Sequence, residues 1–341
     1  MRSTRGVMID VIIGLLPAVA AAGFYFHRYA LVLVASCVIA SVVTEFVCNL
    51  IRSKPDPLNS LGDFSAVVTG VILALSLPPA IPWWAAVIGS FFAIAIGKMV
   101  FGGLGANIFN PAMVGRTFLT AGFGMLMTTW TVPSTIDSSM PQMSARMPDA
   151  VTQATPLAWS KQAVKSKQAE DGSKPLLAKS QTGELSPAAF VNSQMKSLFT
   201  GSTGGCLGET SKAALLLGGI YLLVRKTITW HIPAAVVIST FVCSGIGFVA
   251  DKSSYISPFA HLAAGGLLLC VFFIATDPVT APLTKRGMWI FGAGIGAMTV
   301  VIRIFGEYPE GVMYAVLLMN SVTPLIDRFC KRIPAGGRPN V

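Results

Sequence analysis

Charge is what this sequence has least of. Of its 341 residues only 12% are Asp, Glu, Lys or Arg, against about 25% in soluble domains. With 53% hydrophobic residues and a mean hydropathy of +0.67, the composition excludes an ordinary soluble enzyme and predicts a polytopic membrane protein. Acid is scarcer than base, 15 residues against 25, for a net charge of +10. In a membrane chain such an excess marks cytoplasmic loops and contact with anionic lipid headgroups rather than nucleic acid. Several chemistries lack their residues. The cysteines Cys37, Cys48, Cys206, Cys243, Cys270 and Cys330 contain no C-x-x-C pair, so they read as buried thiols and not as an iron–sulfur or zinc site. No His-Glu-x-x-His, Walker A, Ser-His-Asp or Cys-His set, or glycosidase-type carboxylate pair appears, so no catalytic residue or metal ligand is assigned.

What is present is a succession of apolar runs, each near the roughly 17–25 residues a bilayer needs. They cover 7–26, 31–51, 64–77, 81–101, 111–127, 213–224, 232–250, 258–275, 288–305 and 312–329. The expected fold is therefore all-α, with about ten transmembrane helices. The first run follows Met1-Arg2-Ser3-Thr4-Arg5 with no small-residue cleavage site and reads as a retained helix. Starting inside, the inner face collects Arg2, Arg5, Arg52, Lys54, Lys98, Arg116, Arg225, Lys226, Lys285, Arg286, Lys331, Arg332 and Arg338, which predicts both termini in the cytoplasm. Three parts follow: membrane helices in 1–127, an extracytoplasmic loop in 128–205, and membrane helices in 206–341. Within the loop, 161–185 is polar, free of aromatics and reads as mobile. Phe64-x5-Gly70 before Pro78-Pro79 and Phe259-x5-Gly265 before Pro278 suggest two five-helix repeats of inverted topology.

Four polar stretches offer chemistry. Thr155 presents a hydroxyl beside the small Ala154, and Pro156 biases it to an extended shape; by itself it also reads as a solvated loop threonine. Gly102-Gly103-Leu104-Gly105-Ala106-Asn107-Ile108-Phe109-Asn110-Pro111 combines glycines, which allow close backbone approach, with two uncharged amides suited to a flat heterocycle. The alternative is a tight turn with Asn110 as the N-cap of a helix starting at Pro111. Gly201-Ser202-Thr203-Gly204-Gly205-Cys206-Leu207-Gly208-Glu209-Thr210-Ser211 leads into the sixth helix and suits a phosphate, or else a cap in which Glu209 takes part. Ala275-Thr276-Asp277-Pro278-Val279-Thr280 interrupts the eighth helix, as a cation or cofactor site or a polar helix stop. Asp10 and Glu45 are intramembrane acids that suit an ion path or, being near helix ends, simply reach water; His261 reads as a packing residue, and Arg303 with Glu307 as an i,i+4 pair.

Taken together, Val68-Thr69-Gly70, the 102–112 stretch, Thr152-Gln153-Ala154-Thr155-Pro156-Leu157-Ala158, the 204–211 stretch, Ala275-Thr276-Asp277-Pro278-Val279-Thr280 and Tyr308-Pro309-Glu310-Gly311-Val312 resemble one family. It comprises RnfD, a membrane component of the Rnf ion-translocating electron-transport complex, and its sister NqrB of the sodium-pumping NADH:quinone reductase. The early first helix suits the Rnf member. The resemblance implies an inner-membrane component of an oxidoreductase, without a complete active site alone. It implies FMN joined to Thr155 through a phosphoester by a flavin transferase, with Asp149, Thr152, Gly208, Glu209 and Thr210 nearby. Gln153 departs from the glycine usual there. It implies a second, non-covalent flavin, riboflavin, contacted by Asn107 and Asn110. The implied partners are a second FMN-bearing subunit and subunits carrying iron–sulfur clusters and binding NADH, in a complex exporting Na+ or H+. The alternative is a solute or ion transporter or channel of inverted-repeat fold.

Overall fold

The computed structural model describes residues 3–53, 59–129, 178–180, 183–185, 205–209, 211–250, 255–306 and 310–331. Asp149, Thr152, Thr155, Thr210 and Glu307 lie outside the described residues.

The first element, α1 (Thr4–Ile51), merges two of the expected spans. As one straight rod it would run about 70 Å, twice a bilayer core. It breaks at His27, the one residue inside it with non-helical dihedrals (φ 52°, ψ −133°). A Cβ on Gly23 would meet the Leu31 side chain at 3.8 Å, although eight residues of straight helix separate their levels by about 12 Å. The chain therefore turns sharply there, giving two arms. The first arm packs Gly14 against Gly218, and the second packs Cys37 and Val38 against Gly70, where a side chain would not fit.

A 3-10 turn (Asn59–Asp63) leads into the short α2 (Ser65–Leu75). Next come α3 (Trp83–Ile94), continued by a π-helical turn (Ala95–Met99), then α4 (Pro111–Gly122) and α5 (Gly124–Met127). Asn110 caps α4 by accepting from the Met113 N–H, with Pro111 at the first position. The strands β1 (Ala178–Ser180) and β2 (Gly183–Leu185) pair antiparallel, inside the stretch whose polarity reads as mobile. A 3-10 turn (Leu207–Glu209) precedes α6 (Lys212–Val224), capped by Ser211 rather than Glu209. Beyond it lie α7 (His231–Ala250), α8 (Pro258–Ala263), α9 (Leu267–Leu269) with its own π turn (Cys270–Ile274), α10 (Lys285–Phe305) and α11 (Val312–Phe329).

Apart from the small hairpin, the described chain is helical. By length and composition α1, α7 and α10 are apolar enough to cross a membrane, and shorter apolar helices occupy Ser65–Leu75, Trp83–Met99 and Lys212–Val224. Large apolar side chains such as Phe24, Val224, Val249, Phe305 and Phe329 lie open on the surface, at 73–79% exposure. On a soluble protein so much exposed apolar surface is a liability; against lipid it is the expected face.

The charges deep in this bundle correct the reading of the loops. Lys98 and Arg116 do not sit among the inner-face loop charges: Lys98 lies in the π turn and Arg116 in α4, both almost fully buried. Nor do Asp10 and Glu45 reach water. Asp10 accepts from Thr227 (2.8 Å), Arg225 (3.2 Å) and Tyr221 (3.3 Å), and Glu45 holds Lys98. Each acid is buried within the protein, where a partner from another element offsets its desolvation.

Candidate functional site

A cavity opens between the first arm of α1, α2, the two π turns and the loop leading into α4. The wall is largely apolar, with Val11, Val68, Ile72, Leu104, Phe272 and Phe273 among its residues, and Ser65, Thr69, Lys98, Asn107, Asn110 and Asp277 among its polar members. The π turns explain part of this layout. Each carries an i→i+5 bond, Val100 N–H to Ala95 O at 3.0 Å and Ala275 N–H to Cys270 O at 2.9 Å. The extra residue widens a turn and re-aims side chains, a device common at functional sites. Lys98 stands on one such turn and Phe272 and Phe273 on the other.

The loop into α4 folds as it does because its glycines take backbone shapes that other residues resist. Gly102, Gly103 and Gly105 have φ of 127°, 105° and 93°. This brings both predicted amides to the cavity, where they differ. Asn110 is engaged: its Oδ1 caps α4 and its Nδ2 donates to Ile274 O at 3.4 Å. Asn107 donates from Nδ2 to Phe109 O at 3.2 Å, but its Oδ1 is buried with no partner. An unsatisfied buried acceptor costs about 1–3 kcal/mol, and on a cavity wall it marks where a ligand's donor fits. Asp277 is held by the Val279 N–H (3.1 Å) and Thr280 Oγ1 (3.3 Å), so the interrupted helix after the second π turn stops on its own acid.

Gly208 and Glu209 are not at this cavity. Gly208 packs so close to the end of α2 that an added Cβ would come within 2.9 Å of Leu75 O, and the Leu207 N–H donates to Leu77 O at 3.0 Å. Glu209 belongs to a second buried group that no sequence motif assembles. Here Arg116 pairs with Glu310 and approaches Cys206 Sγ at 3.3 Å. Cys206, Glu209 and Glu310 bring their donor atoms within 4.8 Å of one another. Lys212 donates to Gly265 O at 2.8 Å; Arg303 donates to His261 O at 2.6 Å and Ala264 O at 2.9 Å. These three carbonyls are the loose end of α8, where the helix is broken at Gly265 (φ 69°), and the cations cap them. Glu209 Oε1 lies 3.7 Å from a Cβ position on Gly266, the N-cap of α9, where a carboxylate suits the helix start. Arg116, Lys212 and Arg303 already supply positive charge to the two carboxylates, which argues for a structural ion network rather than a metal centre. No short spacing announces it: Arg116 and Glu310 stand 194 positions apart.

The whole-chain comparisons agree with one another. Residues 1–336 match the model of the NQR2, RnfD, RnfE family. The D component of the Na(+)-translocating ferredoxin:NAD(+) oxidoreductase complex of Acetobacterium woodii is 42% identical, over 96% of this chain and 90% of that protein. Its proton-translocating counterpart from Clostridium ljungdahlii is 41% identical, over 98% and 93%. The D component of the ion-translocating oxidoreductase complex of Cronobacter sakazakii is 35% identical, over 97% and 94%. With a family model matched along nearly its whole length, and relatives of this identity matched end to end, the chain belongs to the NQR2, RnfD, RnfE family.

Proposed function

We propose that this chain is the RnfD-type membrane component of an ion-translocating ferredoxin:NAD oxidoreductase, relaying electrons through FMN carried on Thr155 and riboflavin held in the cavity. The observation that carries the cavity half of this reading is the orphaned Asn107 Oδ1 on a wall built largely of aromatic and aliphatic side chains. Those residues fit a flat heterocycle: Phe272 and Phe273 offer apolar area, Asn107 accepts from a ring N–H, and Thr69, whose hydroxyl proton goes to Ser65 O, accepts beside it. A bound flavin supplies one- and two-electron chemistry; the protein binds it, orients it and sets the charge around it.

In this reading both termini are cytoplasmic and the Thr155 loop is extracytoplasmic in a bacterial inner membrane. Asp149 and Thr152 flank the attachment threonine, and Gly208, Glu209 and Thr210 lead away from the loop into the second half. A flavin transferase loads Thr155. Electrons arrive from subunits that carry iron–sulfur clusters and bind NADH, and pass to a second FMN-bearing subunit. The coupling ion is Na+ or H+. We read the helices as two inverted five-helix repeats. In support, the first arm of α1 packs on α6 and α4 on α11, first with first and fifth with fifth, as a two-fold axis between halves requires. Within each half the second helix packs on the fourth and the fourth on the fifth.

Denaturing gels test the covalent half. The protein, produced in cells that have the transferase, is expected to fluoresce as a flavoprotein, and Thr155→Ala to abolish the signal. Mass spectrometry of the peptide containing Thr155 reads the same attachment as an added FMN phosphoester. A dark wild-type band sinks this part of the reading. The helix broken at Gly265 favours the alternative, a solute or ion transporter, which predicts flux by the purified chain alone, unaffected by Thr155→Ala.

A further inference from the structure

The buried ammonium on the cavity wall is one end of a hydrogen-bonded chain that leads away from the cavity. Lys98 Nζ donates to Ser65 Oγ at 2.6 Å, and Ser65 Oγ donates in turn to Asp63 Oδ1 at 2.5 Å. Ser65 and Lys98 both line the cavity, while Asp63 is half-buried in the 3-10 turn ahead of α2. Helix capping explains part of this: Asp63 Oδ1 also accepts the Ser65 backbone N–H at 2.7 Å, as a capping carboxylate does. Capping gives no reason for the Ser65 hydroxyl to take a bond from an ammonium on a different helix. Nor is that bond needed to neutralise Lys98, since both oxygens of Glu45 already face it at 2.7 and 2.8 Å. Among the described lining residues the one acid is Asp277, which is occupied by Val279 and Thr280. What remains is an unbroken line of exchangeable protons, with a hydroxyl that accepts on one side and donates on the other.

We propose that Asp63, Ser65 and Lys98 form a proton relay between the membrane's aqueous edge and the cavity; the inference rests on the cavity's reading as a flavin site. A ring that accepts electrons also binds protons, and this line of exchangeable groups offers them a route to the cavity wall. When electrons delivered by the oxidoreductase reach the cavity, Lys98 releases one Nζ–H proton toward it. The Ser65 hydroxyl passes its proton to Lys98 Nζ while the Asp63 carboxylate takes a proton from water and hands it on to Ser65 Oγ, leaving Asp63 ionised as before. On reoxidation each bond reforms in reverse order, so the relay is unchanged after a cycle. Glu45 holds Lys98 in place throughout. Ser65 and Asp63 are positioning and transfer groups; they make no redox change.

The test uses the whole complex purified with its flavins, carrying Ser65→Ala, Ser65→Thr or Asp63→Asn. Reduction by NADH is followed in a stopped-flow instrument, with a pH-indicator dye reporting proton uptake. Ser65→Ala and Asp63→Asn are expected to slow flavin-linked proton uptake at least tenfold, and Asp63→Asn, which lies off the cavity wall, to leave flavin content and equilibrium midpoint potential at wild-type values. Ser65→Thr, which keeps the hydroxyl, is expected to restore the rate. Wild-type uptake in flavin-loaded Ser65→Ala overturns the relay alone. If Ser65→Ala loses flavin or melts early and Ser65→Thr does not rescue the rate, the serine is structural and the relay is equally overturned. A wild-type complex without non-covalent flavin overturns the cavity reading, and the relay with it.

Discussion

Lys98 at the cavity and Arg116 at the broken helix are both cations buried to within a few per cent, yet their surroundings differ in kind. Lys98 faces one carboxylate squarely, spends its third proton on Ser65, and belongs to a pair with no net charge. Arg116 belongs to a group of three cations and two carboxylates, where two of the cations are committed to backbone carbonyls. The first arrangement leaves the cavity wall neutral and equips it with movable protons. The second stitches the broken end of α8 to α4, α6, α10 and the start of α11, and contributes no residue to the wall of that cavity. A buried charge in a membrane chain is therefore not by itself a functional mark. What separates the two groups is whether their hydrogen bonds end on exchangeable side chains beside a cavity or on main-chain carbonyls.

If that contrast is right, damage to the second group shows first as lost fold. Arg116→Leu strands Glu310 in an apolar interior, and removing one partner of a buried pair costs about 3–5 kcal/mol. Thermal unfolding in detergent, followed by the tryptophan signal, should register it as the largest loss among these substitutions. Adding Glu310→Leu should return most of that stability, because an apolar pair of similar volume is tolerated where a lone charge is not. A double variant as unstable as the single one would show that Glu310 is needed by Glu209 or Cys206 as well.

Arg303→Met breaks the comparison in a more local way. It leaves His261 O and Ala264 O without donors, at about 1–3 kcal/mol for each unsatisfied group. The expected readout is faster amide exchange across Pro258–Ala263, with the cavity-lining segment around Asn107 unchanged. Equal loosening at both places would mean that the two groups are one cooperative unit.

These residues also mark how far the sequence carries. Helix ends marked by short-range chemistry are legible: the Asn110-Pro111 cap is where it is expected, and the turn between the first two spans falls at His27. Gly102, Gly103 and Gly105, picked for backbone freedom, adopt positive φ. Lys98 and Arg116 read as loop charges because each stands next to the edge of an apolar run. A hydropathy window cannot distinguish a helix end in water from a turn within the bundle. Their partners lie 53 and 194 positions away, beyond any local pattern. The π turns are illegible for a related reason: an i→i+5 bond reflects packing around Ala95–Met99 and Cys270–Ile274, not a sequence signal. Thr155 rests on family resemblance alone, since it falls outside the described residues.

The finest edge of the contrast is Asn107. In Asn107→Leu the bond from Nδ2 to Phe109 O is lost, at about 1 kcal/mol, while the unsatisfied Oδ1 is removed with a gain of similar size. Leu keeps the branching of Asn, and its greater bulk falls at the cavity and suits the apolar wall, so folding stability is expected to move by no more than about 0.5 kcal/mol. Ligand retention should move much more. If a ring N–H bonds Oδ1, losing that acceptor strands a donor on the ligand, worth about 1.4 kcal/mol or a tenfold weaker grip. The measurement is the ratio of non-covalent to covalent flavin in the purified complex, alongside its melting temperature. A fallen ratio with an unmoved melting temperature ties Oδ1 to the ligand and not to the fold. An unmoved ratio would hand that orphaned oxygen to an ordered water, and leave Lys98 and Thr69 as the polar groups to be tried next.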